Sequence, residues 1–175
     1  RAQGMPPSKL GLKRGKTIRV KDAILALITK SANDAAVVVA EALGGTEIKF
    51  AQMMTKKARQ IGMRRTRFRN ASGLPNRRQV STARDMATLA RRLIRDFPQY
   101  YHFFGTQRFS YKRRIFRNHN KLLANYPGVD GIKTGYIRAS GFNLVASTKR
   151  HGRRLIGVVF GGKSAKSRDR HMRRL

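Results

Sequence analysis

Residues 31–55 carry a single basic side chain, Lys49, in a chain whose formal charge is +32. That near-neutral segment is the strongest constraint on the fold. Its centre, "AAVVVAEAL", is apolar almost all the way round a helix, and a helix without a polar face belongs in a core. The cationic remainder must then be arranged around it, with seven Lys and Arg in 56–69 and eleven in 77–117. A chain of 175 residues, 40% hydrophobic, can bury such a core as one domain over 1–175, which excludes a disordered polybasic tail.

The buried helix begins on polar residues. In "ALITKSANDAAVVVAEALGG", Ser31, Asn33 and Asp34 interrupt an apolar run, and buried polar groups cost free energy unless they find partners. Capping is one answer: Ser31-x-x-Asp34 fits a capping box, with Ser31 accepting from free N–H groups and Asp34 favouring the positive helix end.

Three more helices follow from periodicity. "VKDAILALITK" is a short helix leading into the motif. "TEIKFAQMMTKKARQIG" is amphipathic, with Thr46 as N-cap, Ile48, Met53 and Ile61 on the apolar side, and Gly62 as the stop. "STARDMATLARRLIRDF" is capped by Ser81 or Thr82, turns Met86, Leu89, Leu93 and Phe97 inward, and closes at Pro98. From residue 106 the period shifts toward two. "TQRFSY" and "RRIFRN" read as a hairpin. "GVDGIKTGY", "GFNLVASTKR" and "RRLIGVVFGG" read as three strands, the last two joined through His151-Gly152, before a basic terminal helix. Helices first and strands after predict an α+β fold with a helical cluster packed on an antiparallel sheet.

The chemistry is bounded by what is absent. There is no cysteine, so no disulfide, thiolate metal site or cysteine nucleophile. The four histidines have no metal-ligand spacing, and the eight carboxylates lie singly. No apolar run reaches membrane-spanning length. Hydroxyls and amines remain.

"DGIKTGY" places Lys133-Thr134-Gly135 on a predicted strand, and Ser31-Ala32-Asn33 lies in a loop between helices. A Ser-x-Asn triplet followed by Lys-Thr-Gly is part of the signature of penicillin-binding proteins and class A β-lactamases. With "PPSKLGLKRG", "NASGLP", "SGFNLVAS" and "GVVFGGKS" in order, the chain resembles the low-molecular-mass, penicillin-binding serine D-Ala-D-Ala carboxypeptidases over most of its length. The resemblance implies a penicillin-binding protein/β-lactamase-like transpeptidase fold, incomplete at its N-terminus. It implies acyl-enzyme cleavage of peptidoglycan stem peptides, β-lactams as inhibitors, and no metal or organic cofactor. It also implies export to the periplasm or cell envelope.

The same resemblance assigns roles. Ser31 passes a proton, Asn33 fixes the substrate backbone and a nearby lysine, and Lys133 polarises the serine hydroxyl and docks a carboxylate. Thr134 bonds that carboxylate, Gly135 lets a substrate strand approach, and the Tyr136 N–H forms half of an oxyanion hole. Arg168, beyond Gly161-Gly162, reaches the substrate's terminal carboxylate.

One element is missing. None of the nine serines has a lysine three positions on; Ser110, for one, is followed by Arg113. The family's Ser-x-x-Lys nucleophile element is therefore expected upstream of Arg1, unless the protein is a catalytically dead homologue. Residues 1–175 alone are expected to form no acyl-enzyme, to expose core surface and to be marginally soluble. β-Lactam hydrolysis would need a deacylating carboxylate, and no Glu-x-x-x-Asn element lies between the triplets.

Another class of function starts from the charge, which attracts anionic wall polymers, membrane surfaces or nucleic acid. A nucleic-acid module would use the arginine runs 64–69 and 108–117 with Phe68, Phe109, Tyr111 and Phe116 as stacking rings. No recognised nucleic-acid motif accompanies them, and alternating aromatics on a strand usually face a core.

Overall fold

The structure, a computed structural model, describes all of Arg1–Leu175. Helices precede strands, as the change of period requires. α1 (Val20–Leu25) continues into a wider, π-type turn at Ala26–Lys30 and then into α2 (Asn33–Gly44), the buried helix. Ala35, Ala36, Val37 and Ala40 of α2 are all buried. At its end, a Cβ on Gly44 would sit 2.9 Å from the Phe50 backbone, and Gly45 has φ +72°, so the corner into α3 (Glu47–Gln60) needs both glycines.

Thr46 caps α3 as expected, accepting from the Lys49 N–H at 3.2 Å. The inward face is another one. Ile48 and Met53 are 63% and 50% exposed, while Ala51, Ala58 and Glu47 are buried. Two alanines seven residues apart let α3 lie close against its neighbours, and Glu47 is partnered there by the Ala71 N–H at 3.1 Å and Arg1 at 2.9 Å. Small residues define this face, so the large aliphatic side chains misled the reading.

Thr82 caps α4 (Ala83–Asp96), accepting from the Asp85 N–H at 3.1 Å. Met86, Leu89 and Leu93 are partly buried, but Phe97 is exposed. Pro98 does end α4, and it also starts the short α5 (Pro98–Tyr101), which swings Phe97 off the apolar stripe.

β1 (Arg108–Tyr111) and β2 (Arg114–Arg117) form the hairpin. After α6 (Leu122–Asn125) come β3 (Val129–Ile137), β4 (Gly141–Arg150) and β5 (Arg153–Gly162), an antiparallel meander, then α7 (Ala165–Arg174). His151 and Gly152 have φ +48° and +73°, as a two-residue hairpin loop with right-handed strand twist demands. β4 alternates between two cores. Val145 packs with Ala90, Tyr101 and Ile132, whereas Leu144 and Ala146 pack with Leu122 and Met172. The sheet therefore has α4 and α5 on one face and α6 and α7 on the other, and the α+β architecture stands. β3 and β5 are its edges.

A third core joins the hairpin to the start of α2: Phe109 and Phe116 are buried with Leu10, Ala26, Ala32 and Ala35. This corrects the stacking reading for two of its four rings. Phe109 and Phe116 support the Ser31 turn and offer no ring to a base.

Candidate active site

Ser31 is not a cap. The N-cap of α2 is Ala32, with no side-chain hydrogen bond, and Ser31 sits in the left-handed region at φ +53°, ψ +46°. Holding a non-glycine residue there costs on the order of 1–2 kcal/mol. The wide turn before it and Ser8 hold it in place. Ser8 Oγ donates to the Lys30 carbonyl at 2.8 Å, and the Asn33 N–H donates to the Ser8 carbonyl at 2.8 Å. A widened turn next to a strained serine is a common functional-site arrangement.

The strain aims the hydroxyl at β3. Lys133 Nζ donates to Ser31 Oγ and, at 2.7 Å, to the Thr134 carbonyl. Two residues separated by 102 positions thus meet in one cleft. Burial, with help from the nearby Arg168 charge, pushes the Lys133 ammonium down to about 8. It therefore still carries its charge at neutral pH, but gives up its proton more readily than a solvated lysine.

The other expected residues fall around this contact. Asn33 is buried and its amide donates to the Pro6 carbonyl at 3.1 Å; it makes no bond to Lys133, and its Oδ1 has no partner within the chain. Thr134 and Gly135 follow Lys133 on the sheet edge. A Cβ at Gly135 would meet only Asn143 Cβ, at 3.8 Å, so nothing inside the chain requires glycine there. Tyr136 is exposed, its ring 4.4 Å from that of Phe142. Arg168, 3% exposed, is tied to Asp169 at 2.6 and 2.9 Å and to the Asn143 carbonyl at 3.4 Å. Two of its five N–H groups stay unpaired, and its charge is felt at Lys133.

Several supporting residues have roles that no local signal gave. Asp34 is fully buried and accepts four backbone N–H groups: Leu10 and Ala35 on Oδ1, each at 3.0 Å, and Gly11 and Leu12 on Oδ2 at 2.8 and 2.9 Å. It pins the lead-in segment over α2. Asp130 on β3 accepts from Tyr101 at 3.1 Å and pairs with Arg154 of β5 at 2.7 Å, and Arg154 also donates to Ser147 of β4 at 2.5 Å. That network ties all three strands together, and burial there pushes the Tyr101 hydroxyl up to about 12. His119 is set between Asn118, bonded to the Thr106 carbonyl at 2.8 Å, and Asn120, bonded to the Gly131 carbonyl at 3.2 Å. Desolvation, then the charges of Lys133 and Lys30, hold its imidazole below the usual histidine range.

Past the cleft, a cavity of about 540 Å³ lies between α3, the loop around Asn70–Gly73 and the ends of β3 to β5. Met54, Phe68, Ile137 and Phe160 supply its apolar walls, and none of its lining residues is charged.

The family model for D-alanyl-D-alanine carboxypeptidase matches residues 2–164. The chain is 36% identical to D-alanyl-D-alanine carboxypeptidase DacF of Bacillus subtilis, over 96% of this chain and 44% of that protein. Penicillin binding protein 5 from Haemophilus influenzae superposes with a TM-score of 0.94 at 35% identity, covering 99% of this chain and 52% of that one. Penicillin-Binding Protein D2 from Listeria monocytogenes, in its ampicillin-bound form, gives a TM-score of 0.84 at 30% identity, covering 91% and 67%. The chain spans less than half the length of the curated relative it matches. With the Ser-x-Asn turn and the Lys-Thr-Gly strand meeting as they do, the chain belongs to the D-alanyl-D-alanine carboxypeptidase family.

Proposed function

We propose that residues 1–175 supply the Ser-x-Asn and Lys-Thr-Gly side of a serine D-Ala-D-Ala carboxypeptidase site acting on peptidoglycan stem peptides. The observation that carries this reading is the Lys133–Ser31 hydrogen bond at the free edge of β3. The nucleophile and its lysine come from a Ser-x-x-Lys element outside these residues. That serine adds to the carbonyl of the penultimate D-alanine, its proton passing to its own base. The Ser31 hydroxyl gives a proton to the amine of the departing D-alanine as the C–N bond breaks, and Lys133 restores it. An ammonium near pKa 8 suits such a transfer close to neutral pH. Water then takes the acyl group.

Binding follows from the same geometry. Lys133, Thr134 and the unpaired N–H groups of Arg168 suit the terminal carboxylate. The free edge of β3 suits an extended peptide, Gly135 admits it closely, and the Tyr136 N–H would stabilise the oxyanion. Asn33 Oδ1, without a partner, suits a substrate amide. No metal or organic cofactor enters this scheme. A β-lactam presents an equivalent acyl carbonyl, which makes it an inhibitor. Such a substrate places the protein in the periplasm or cell envelope; no helix is long and apolar enough to cross a membrane.

Labelling with a fluorescent penicillin tests the assignment. Residues 1–175 alone stay unlabelled, while the longer protein carrying the Ser-x-x-Lys element is labelled covalently. Covalent label on the 175-residue chain, or none on the longer protein, overturns it.

A further inference from the structure

The β1–β2 hairpin carries charge that no ion pair of the fold neutralises. Between Asp96 and Asp130 there is no carboxylate at all, whereas Arg108, Lys112, Arg113, Arg114, Arg117 and Lys121 all lie there. All six are exposed, and none is in an ion pair. Arg108 and Arg117 stand directly opposite each other in the ladder, and like charges in that position are destabilising. The ion pairs of the chain lie elsewhere: Arg1 with Glu47, Arg19 with Asp22, Arg92 and Arg95 with Asp96, Arg154 with Asp130, and Arg168 with Asp169. Apart from the cation–π contacts of Arg114 over Phe116 and Lys112 over Tyr111, folding gives no reason for the hairpin's charges.

The hairpin is also continuous with the cleft. Its inner face, Phe109 and Phe116, packs on Ala26, Ala32 and Ala35 around the Ser31 turn. Lys30, which precedes Ser31, holds its ammonium 5.7 Å from the Phe116 ring centre, and the Arg114 guanidinium lies 5.3 Å from the same centre. His119, two residues beyond β2, stands in the field of Lys30 and Lys133. A cationic track therefore runs from the hairpin toward Lys133; the carboxylate of Asp34, three residues past Ser31, is fully buried and taken up by backbone N–H groups.

We infer that this hairpin is a docking rim for a carboxylate-bearing polymer, namely the neighbouring stem peptides of polymeric peptidoglycan, engaged while one stem occupies the cleft. The identity of the polymer rests on the function proposed above. The chemistry of the rim favours it over other polyanions. Its buried phenylalanines leave no stacking platform for nucleic acid, and Ile115, 69% exposed, is its one large aliphatic side chain free to enter a lipid surface. Arginines, four of the six cations, grip carboxylates in pairs of parallel hydrogen bonds.

Co-sedimentation with purified sacculi, stripped of lipid and accessory polymers, tests the rim without any acyl transfer. A variant with Arg108, Arg113, Arg114 and Arg117 changed to Gln loses at least about tenfold in affinity at low salt. A charge-matched variant with the exposed Arg77, Arg78, Arg91 and Arg170 changed to Gln stays within about threefold of the parent. Sacculi whose carboxylates are capped by carbodiimide and glycinamide lose the hairpin-dependent binding. Equal losses in the two variants overturn the inference, as does undiminished binding to capped sacculi or equally tight hairpin-dependent binding to anionic vesicles or single-stranded DNA. The thermal midpoint of the hairpin variant is unchanged or higher, since an opposed like-charge pair is removed; a large fall would mean that the arginines serve the fold. Penicillin labelling stands apart from all these readouts, so failure of the catalytic reading and failure of the rim are distinguishable.

Discussion

Asp34→Ala lowers the free energy of unfolding by about 3–5 kcal/mol, the cost of stranding buried partners of a charged group. The carboxylate has no solvent exposure and takes four backbone N–H groups, three of them from Leu10, Gly11 and Leu12. Those three belong to a segment without regular structure, so no ladder replaces the lost acceptor. The positive end of α2 adds to the preference for an anion there. Asp34→Asn is nearly as damaging, because one oxygen becomes an amide donor facing other donors. The Glu41 side chain, on the same helix, makes no hydrogen bond or ion pair; Glu41→Ala shifts stability by less than about 0.5 kcal/mol. Urea unfolding followed by circular dichroism measures all three, and a loss below about 1 kcal/mol for Asp34→Ala contradicts this account.

Lys133→Met has the opposite sign. The lysine's pKa in the folded state is about 8 against an ordinary 10.5, so the folded protein pays to keep it charged. Below about pH 8 both states hold the proton and the full penalty, about 3 kcal/mol, is present. Between about 8 and 10.5 the unfolded chain binds more protons, so this group makes stability rise with pH, and above 10.5 its contribution is gone. Methionine removes the penalty but also the hydrogen bonds to Ser31 and to the Thr134 carbonyl, each worth about 1 kcal/mol. The variant is therefore about 1 kcal/mol more stable at pH 6, with the advantage gone by about pH 10. In the longer protein the same change lowers the rate of penicillin acylation by at least about a hundredfold. Urea titrations at pH 6, 8 and 10 follow the first effect. Destabilisation at pH 6 would show that Lys133 serves the fold.

The two triplets were legible in the sequence because chemistry restricts them to few residue types. The strands and the β4–β5 turn were legible because period two and His151-Gly152 are local signals. Ser31 was legible as a motif but not as a conformation. Its left-handed backbone depends on Ser8 and on a turn widened by one residue, and neither leaves a mark in "TKSAND". Asp34 looked like a helix-end charge, since its principal partners lie 22 to 24 positions away. The α3 face was misread because Ala51 and Ala58 pack by being small, which hydrophobicity does not reward. Arg168 could be found only through its place after Gly161-Gly162, and its tie to Asp169 emerged only in three dimensions.

The central claim is that the hydroxyl at 31 and the ammonium at 133 form one unit. A double-mutant cycle on unfolding free energy at pH 6, using Ser31→Ala, Lys133→Met and the pair, tests it most directly. Removing the serine while the buried ammonium remains should cost more than removing it after the lysine has gone, giving a coupling of at least about 1 kcal/mol. Additivity within about 0.3 kcal/mol would mean that the two side chains do not share a cleft.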